Sequence, residues 1–303
     1  NLRLVAFAQS TESSNRLEQI TAPPKRLKEL LANKTKPKNR SEAEIAGYRD
    51  VLSTIHQSTK DIPISVNVVK QFHRDMMRYT DRPGGDWKST NNTIVERFAD
   101  GTSLVRFNPV EPYQVNEYMI KLVGRFNEEI EIGEYDPLLL IPLFIFDYTC
   151  IHPFKDGNGR TSRLLTTLLL YHQDYDVVRY ISLEKIIEQT KESYYDTLKE
   201  SSNGWHDGNH DIIPFLTYYL STFLAAYDEF EKRADIIIKP RGTKTEMVIN
   251  AFDGFKGTFT ISNVEDSCPL VGRDMIRKVM NKMRSDGKIE NISKGKYAKW
   301  RKI

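Results

Sequence analysis

Apolar residues recur at helical spacing through most of the first 238 positions. Val68, Val69, Phe72 and Met76 fall on one face of a segment running from Ile64 to Tyr79, which predicts a helix there. Further helices are predicted over Tyr113 to Glu131, Pro137 to Ile151, Thr161 to Tyr171, Leu183 to Leu198 and Ile212 to Arg233. Pro137 stands at a first helical position, where its missing N–H is harmless. The period changes between Asn92 and Phe107. Asn92 to Phe98 and Thr102 to Phe107 are rich in β-branched and aromatic residues, with Asp100-Gly101 between them, which predicts a hairpin. A lone hairpin in helical surroundings has few sheet partners, so one edge is expected to be open and able to recruit an extended peptide.

The longest apolar run, Leu138 to Ile151, contains Pro142 and Asp147 and is shorter than the ~20 residues that span a bilayer. It is therefore expected to be a buried helix, and no membrane is expected as a partner. The chain of 303 residues is 39% hydrophobic and 28% charged, an ordinary globular balance that excludes a disordered or collagen-like chain. At ~150 residues per domain it suggests two domains. Cys150 and Cys268 are the only cysteines, so neither a disulfide framework nor a zinc site is expected, and a reducing cytoplasm is the expected location. The first residues show no charged-then-apolar pattern, so export is not expected.

The net charge of +3 conceals an asymmetry. Residues 239–303 hold 15 basic and 7 acidic side chains, +8, leaving 29 and 34, −5, in residues 1–238. The break coincides with Lys239-Pro240-Arg241-Gly242-Thr243, which we read as a linker. The expected division is an N-terminal region 1–60, a core 61–238, the linker 239–243 and a small domain 244–303. In the last, Glu246 to Phe252 and Gly272 to Ser285 are predicted helices, followed by strands at Lys288 to Ser293 and Lys296 to Arg301. Met275, Ile276, Val279, Met280 and Met283 form an apolar stripe, with Arg273, Arg277, Lys278, Lys282 and Arg284 mainly off it. Helix, helix and hairpin resemble a winged helix-turn-helix. A basic face of this kind suits DNA phosphates, and equally suits a solvated face on a small packing module.

The densest chemistry lies in His152-Pro-Phe-Lys-Asp-Gly-Asn-Gly-Arg-Thr-Ser-Arg163. Gly157-Asn158-Gly159 permits a tight loop at a helix N-terminus, whose free N–H groups and dipole form an anion site. Arg160 and Arg163 are three apart, so both can face that site as phosphate clamps. Asp156 beside a polyphosphate suits Mg²⁺, which takes one or two carboxylates plus phosphate oxygens. His152 is placed to take a proton from an attacking hydroxyl. Alone, a Gly-Asn-Gly marks an ordinary loop, a histidine after an apolar helix is usually structural, and an arginine pair is usually a solvated face. Together within twelve residues they point to phosphoryl or nucleotidyl transfer.

This segment resembles the Fic motif, H-x-F-x-[DE]-G-N-G-R-x-x-R, of the Fic (filamentation induced by cAMP)/Doc family. All eight specified positions match: His152, Phe154, Asp156, Gly157, Asn158, Gly159, Arg160 and Arg163. The resemblance covers roughly residues 10–235, with Phe72 to Met77 similar to an early helix, the hairpin similar to the family flap, and Tyr194-Tyr195-x-x-Leu198 similar to a later helix. It implies a mostly α fold, a helical bundle with a β-hairpin flap. It also implies protein AMPylation, the transfer of AMP from ATP to a Ser, Thr or Tyr hydroxyl of a target protein. His152 would be the base, Asp156 the ligand of Mg²⁺ or Mn²⁺, Gly157, Asn158 and Gly159 the anion hole, and Arg160 and Arg163 the contacts of the outer phosphates. Flap residues Thr93, Ile94 and Val95 would register the target segment. Gly159 is kept where the phosphotransferase branch typically has Lys, which favours nucleotidyl transfer. Phosphocholine transfer and de-AMPylation use similar motifs.

Ser14 and Glu18 stand at i and i+4, which by itself fits a short capped helix. Beside the motif, residues 11–20 resemble the family's inhibitory helix, [ST]-x-x-x-E-[GN], with Gln19 departing from the usual Gly or Asn. The resemblance implies that Glu18 pairs with Arg163 and repels the triphosphate, or else positions water for de-AMPylation. Tyr194 and Tyr195 are candidates for packing on adenine, against the simpler expectation that such a pair is core. Self-AMPylation and self-association are implied by the family, and no interface is legible. The competing view is a DNA-binding regulator using the domain as a nucleotide sensor; an intact His152 argues against it, since a sensor needs no base.

Overall fold

The computed structural model describes residues 2–82, 84–97, 101–238, 243–255, 257–293, 295 and 298–303. The chain divides into two compact units, Ala6–Tyr227 and Asp228–Ile303 with the first five residues, the cut falling within one long helix. Most of the expected linker, residues 239–242, lies outside the described residues, as does Asp100 of the expected hairpin turn.

The larger unit is a helical bundle with one hairpin. Its elements are α1 (Leu2–Leu17), α2 (Pro24–Leu31), α3 (Arg40–Ser58), α4 (Val66–Met76), β1 (Ile94–Arg97), β2 (Ser103–Phe107), α5 (Val115–Ile132), α6 (Pro137–Ile151), α7 (Asn158–His172), α8 (Leu183–Gln189), α9 (Lys191–Ser202) and the start of α10 (Ile213–Ile238). The core sits where α6 and α7 pack against α3, α4 and α5. Leu164, Leu165, Leu168 and Leu169 of α7 and Phe144, Ile145 and Tyr148 of α6 are all buried. α6 is almost entirely apolar, as a largely buried helix must be, with Leu139 and Leu143 reaching the surface. Asp136 caps it by accepting from Leu138 N at 2.8 Å, directly before Pro137.

Three differences from the sequence reading have physical causes. α7 starts at Asn158, three residues before the predicted Thr161, because Gly157 adopts a left-handed φ of +79° as its N-cap. The segment Leu183 to Leu198 is two helices, broken at Thr190, whose hydroxyl bonds Tyr218 Oη at 2.7 Å. The third is α3, for which no helix was predicted. It buries Ala43, Ile45, Tyr48, Val51, Leu52 and Ile55, but also Glu42, Glu44 and Arg49, and these interior charges erase the amphipathic pattern. Gly47 lets α3 cross α4 closely, since a Cβ there would stand 1.9 Å from Met76 O.

The smaller unit contains α11 (Thr243–Asp253), β3 (Thr258–Thr260), α12 (Ile261–Ser267), α13 (Arg273–Ser285), β4 (Ile289–Asn291) and β5 (Lys299–Lys302). Its antiparallel sheet has the order β3-β5-β4. Val248, Phe252, Phe259, Val264, Ile276, Met280 and Trp300 form its core. β3 and α12 were missing from the sequence reading; α12 is short and announced only by its capping box of Thr260 and Asn263. Both cysteines are free and buried, one in each unit. No helix of the described residues is long and apolar enough to cross a membrane.

Candidate active site

The motif forms a loop between α6 and α7 whose shape is fixed by its own side chains. Asn158 accepts from Phe154 N at 2.8 Å and donates to Phe154 O at 2.7 Å. Asn92, at the root of β1, donates to the same oxygen at 2.7 Å. Gly157 is held tightly, since a Cβ would stand 2.8 Å from Met76 Cε and 2.9 Å from Met77 Cε. The loop borders a cavity of about 360 Å³, also lined by Glu18, Thr93, Ile94, Arg106, Tyr194 and Tyr195. The first-turn N–H groups of α7 have no partner within their helix, and the dipole adds positive potential there.

His152 ends α6 in a left-handed conformation, φ +51°. Its Nδ1 lies 3.3 Å from Thr149 O, which fixes Nδ1 as the donor and leaves Nε2 as the basic nitrogen. Burial pushes its pKa down to about 4, against the raising effect of the Thr149 carbonyl. The imidazole is therefore neutral at pH 7, the form a general base requires.

The two motif arginines have different surroundings. Arg163 is buried. It donates through Nε to Ser14 Oγ at 2.8 Å, and through Nη2 to Ser14 O at 2.9 Å and Glu18 Oε1 at 2.8 Å. Burial alone would lower its pKa, but the Glu18 carboxylate and neighbouring tyrosines outweigh that and hold it above the ordinary value. Arg160 is 1% exposed, pairs with Glu44 of α3 at 2.5 Å, and does not line the cavity. Both arginines were expected to face one site; Arg163 borders the cavity, whereas the Arg160 guanidinium is turned to Glu44.

Glu18 stands just past the end of α1, which spans Leu2–Leu17 rather than 11–20. Gln19 takes φ +62°, and Ile20 N bonds Asn15 O at 3.0 Å. This is a left-handed helix stop, so the chain at Gln19 turns as a Gly or Asn would. A Cβ on Gly159 would lie 2.3 Å from Glu18 Oε1, so the carboxylate rests on the backbone of the anion loop. Thr93 and Ile94 line the cavity, whereas Val95 points to solvent, as strand alternation requires. Among the described residues β1 pairs only with β2, leaving one edge open. Tyr194 is core, and Tyr195 borders the cavity with the Arg106 guanidinium 5.5 Å from its ring centre.

Asp156 is half-exposed at the cavity rim. Among the described residues no group of three or more His, Cys, Asp or Glu is arranged to hold a metal. One carboxylate fits a divalent cation only together with ligands brought by a nucleotide, which is the habit of Mg²⁺.

Residues 63–170 match the Fic/DOC family model. This segment is similar to a Fic domain. A protein adenylyltransferase of Caenorhabditis elegans is 27% identical over 155 residues, covering 51% of this chain and 26% of that protein. A protein adenylyltransferase of Aedes aegypti is 33% identical over 110 residues, 34% of this chain and 20% of that one. The chain thus spans between a fifth and about a third of the length of the curated relatives it matches. A Fic family protein from Desulfovibrio desulfuricans G20 superposes with a TM-score of 0.62 at 20% identity, covering 99% of this chain and 87% of that one. That likeness establishes the mostly helical fold.

Several residues outside the motif support this loop. The His73 ring stacks on Phe154 at 3.7 Å, donates through Nε2 to Asp156 O at 3.0 Å, and accepts from Gly85 N at 2.9 Å. Burial holds its pKa at about 4, so it stays neutral. Lys88 donates to Asn92 at 2.8 Å and to the Ile151 carbonyl at 3.3 Å, and burial lowers it to about 8. Its charge closes the C-terminal end of α6 immediately before His152. Only their nearness in sequence to the hairpin and to α4 hints at these roles.

Proposed function

We propose that the chain is a protein adenylyltransferase that transfers AMP from ATP to a Ser, Thr or Tyr hydroxyl of a target protein, and that Glu18 restrains it. The observation that carries this reading is the convergence on one cavity of His152, the α7 N-terminus and Arg163. His152 Nε2 takes the proton of the target hydroxyl, whose oxygen attacks the α-phosphorus. The bond from that phosphorus to the β-phosphate oxygen breaks and pyrophosphate leaves. The N–H groups at Asn158 and Gly159 face the charge that develops, where fixed donors are most effective. Asp156 would hold Mg²⁺ or Mn²⁺ together with phosphate oxygens, and such a cation supplies charge neutralisation on the leaving group. Arg160 supports the loop from below. The open β1 edge registers an extended target segment through main-chain pairing.

Glu18 occupies Arg163 and covers Gly159, the positions an outer phosphate would take, and its charge repels a triphosphate. Incubation with α-labelled ATP and Mg²⁺ tests both parts. Glu18→Gly is expected to raise self-labelling about tenfold or more, and adding His152→Ala to lower it about 10²- to 10⁴-fold, the usual worth of a general base. Label retained by the double variant excludes His152 as the base. Unchanged labelling in Glu18→Gly removes the restraint, leaving de-AMPylation as the use of that carboxylate.

For the smaller unit we propose a winged helix whose α13 contacts DNA. Three helices and a three-stranded sheet with α13 carrying Arg277, Lys278, Lys282 and Arg284 support it. Binding to random duplex should weaken steeply between 50 and 200 mM salt. A mobility shift that is absent at low salt would leave α13 a solvated face.

A further inference from the structure

Both oxygens of Asp156 are engaged. Oδ1 accepts from Gly157 N at 2.7 Å, and Oδ2 accepts from Arg40 Nη2 at 2.7 Å. Arg40 opens α3, and its Nε donates to Glu44 Oε1 at 2.6 Å. The other oxygen of Glu44 is 2.5 Å from Arg160 Nη1, and Arg160 Nη2 is 3.7 Å from Asp156 Oδ1. Two arginines and two carboxylates thus alternate around a closed ring. Glu44 and Arg160 are buried, whereas Arg40 and Asp156 are 54% and 48% exposed. One half of the ring is sealed and the other half faces water.

We propose that Arg40 is the resident counter-cation of Asp156, a positioning residue that a divalent cation must displace from Oδ2 when it arrives with a nucleotide. The inference rests on the reading of Asp156 as the metal ligand. A guanidinium in contact with Oδ2 shows that this oxygen is presented to a cation. A second cation cannot share that contact without strong like-charge repulsion. The exchange is inexpensive because the departing side chain is long and half in water, where ion pairs are weak. Glu44 keeps Arg40 close after it lets go, so the guanidinium competes at high local concentration. Arg40 thereby sets the divalent-cation concentration at which the site fills. Glu44 and Arg160 stay in place throughout, since separating them would strand a buried charge.

The test is Mn²⁺ binding, read by water-proton relaxation, with the full chain and a fixed excess of α,β-methylene-ATP so that the solution complex is common to all variants. Arg40→Gln and Arg40→Met keep a long side chain without charge, and both should lower the Mn²⁺ midpoint about fivefold, the worth of one exposed ion pair. Arg40→Lys keeps the charge and should stay within about twofold of the unaltered chain. Raising NaCl from 50 to 500 mM should narrow the gap between Arg40→Gln and the unaltered chain. Asp156→Asn should abolish the bound signal. If it does while both neutral Arg40 variants bind Mn²⁺ no more tightly than the unaltered chain, the counter-cation role is overturned. If Asp156→Asn binds normally, the metal-ligand reading itself fails and takes the inference with it.

Discussion

Two helices from the first 60 residues each deliver one carboxylate to one arginine of α7, and they do so in opposite ways. α3 brings Glu44 to Arg160 from within an aliphatic packing of Ile45, Tyr48 and Leu52. α1 brings Glu18 to Arg163 from a face of Ser10, Thr11, Ser13, Ser14 and Asn15. Glu44 is 3% exposed and Glu18 is 33% exposed. The α1 contacts are mostly polar: Ser13 donates to Glu188 at 2.6 Å and Arg16 pairs with it at 2.7 Å. Such groups find equivalent partners in water, whereas buried apolar surface does not. One carboxylate sits within apolar packing and the other is held mainly through polar contacts.

The largest effect that sharpens this contrast is expected at Glu44. Glu44→Gln removes the close counter-ion of the buried Arg160, leaving only Asp156 Oδ1 at 3.7 Å, and should cost about 3–5 kcal/mol of stability. Glu18→Gln, made against the equally buried Arg163, should cost about 1 kcal/mol or less, because Ser14 and water remain available. Denaturant unfolding of the two variants measures both values. Similar losses from both would erase the distinction between the two carboxylates.

Acid tests the loop that precedes α7. His73 accepts from Gly85 N through Nδ1, so only its neutral form fits, and burial keeps its pKa at about 4. The unfolded chain binds the proton near pH 6.5, so between about pH 6.5 and 4 it holds more protons than the folded chain. Stability is therefore complete above pH 6.5 and lost as the pH falls, by about 2 kcal/mol at pH 5 for this histidine. His73→Asn should lose that part of the pH dependence in denaturant titrations at pH 7.5 and 5. An unaltered slope in the variant would place the acid sensitivity elsewhere.

The two carboxylates were also unequally legible in the sequence. Glu18 could be found because Ser14 stands one turn before it and the whole Fic motif lies downstream. Glu44 and Arg40 fall in a segment where charges occupy interior positions, so no amphipathic period marks α3 as a helix. A buried ion pair hides its own helix from hydrophobic patterning, because pattern recognition assumes that charges face water. The motif residues were legible at single-residue level, yet spacing alone gave Arg160 and Arg163 the same role. Their separation by 3 positions puts them on one side of α7 but does not say which neighbour meets each guanidinium. Gly157, Asn158 and His152 were legible because loop geometry depends on their own backbone and side chains. His73, Lys88 and Asn92 act across long sequence distances, and local patterns carry no trace of that.

The smallest expected effect distinguishes a docked helix from a single blocking charge. Ser14→Ala removes the acceptor of Arg163 Nε while the Ser14 carbonyl and Glu18 keep their bonds to Nη2. One hydrogen bond from a charged donor is worth about 1.5 kcal/mol or somewhat more, and the two remaining bonds to Nη2 still hold α1 in place. If α1 restrains the site as a unit, weakening its dock should raise self-labelling a few-fold while Glu18 is still present. That rise should be smaller than the rise in Glu18→Gly, because the carboxylate still rests on Gly159 whenever α1 is seated. Labelling of Ser14→Ala equal to the unaltered chain would mean that Glu18 acts alone. Labelling equal to Glu18→Gly would mean that the helix is held by Ser14 and that the carboxylate is incidental.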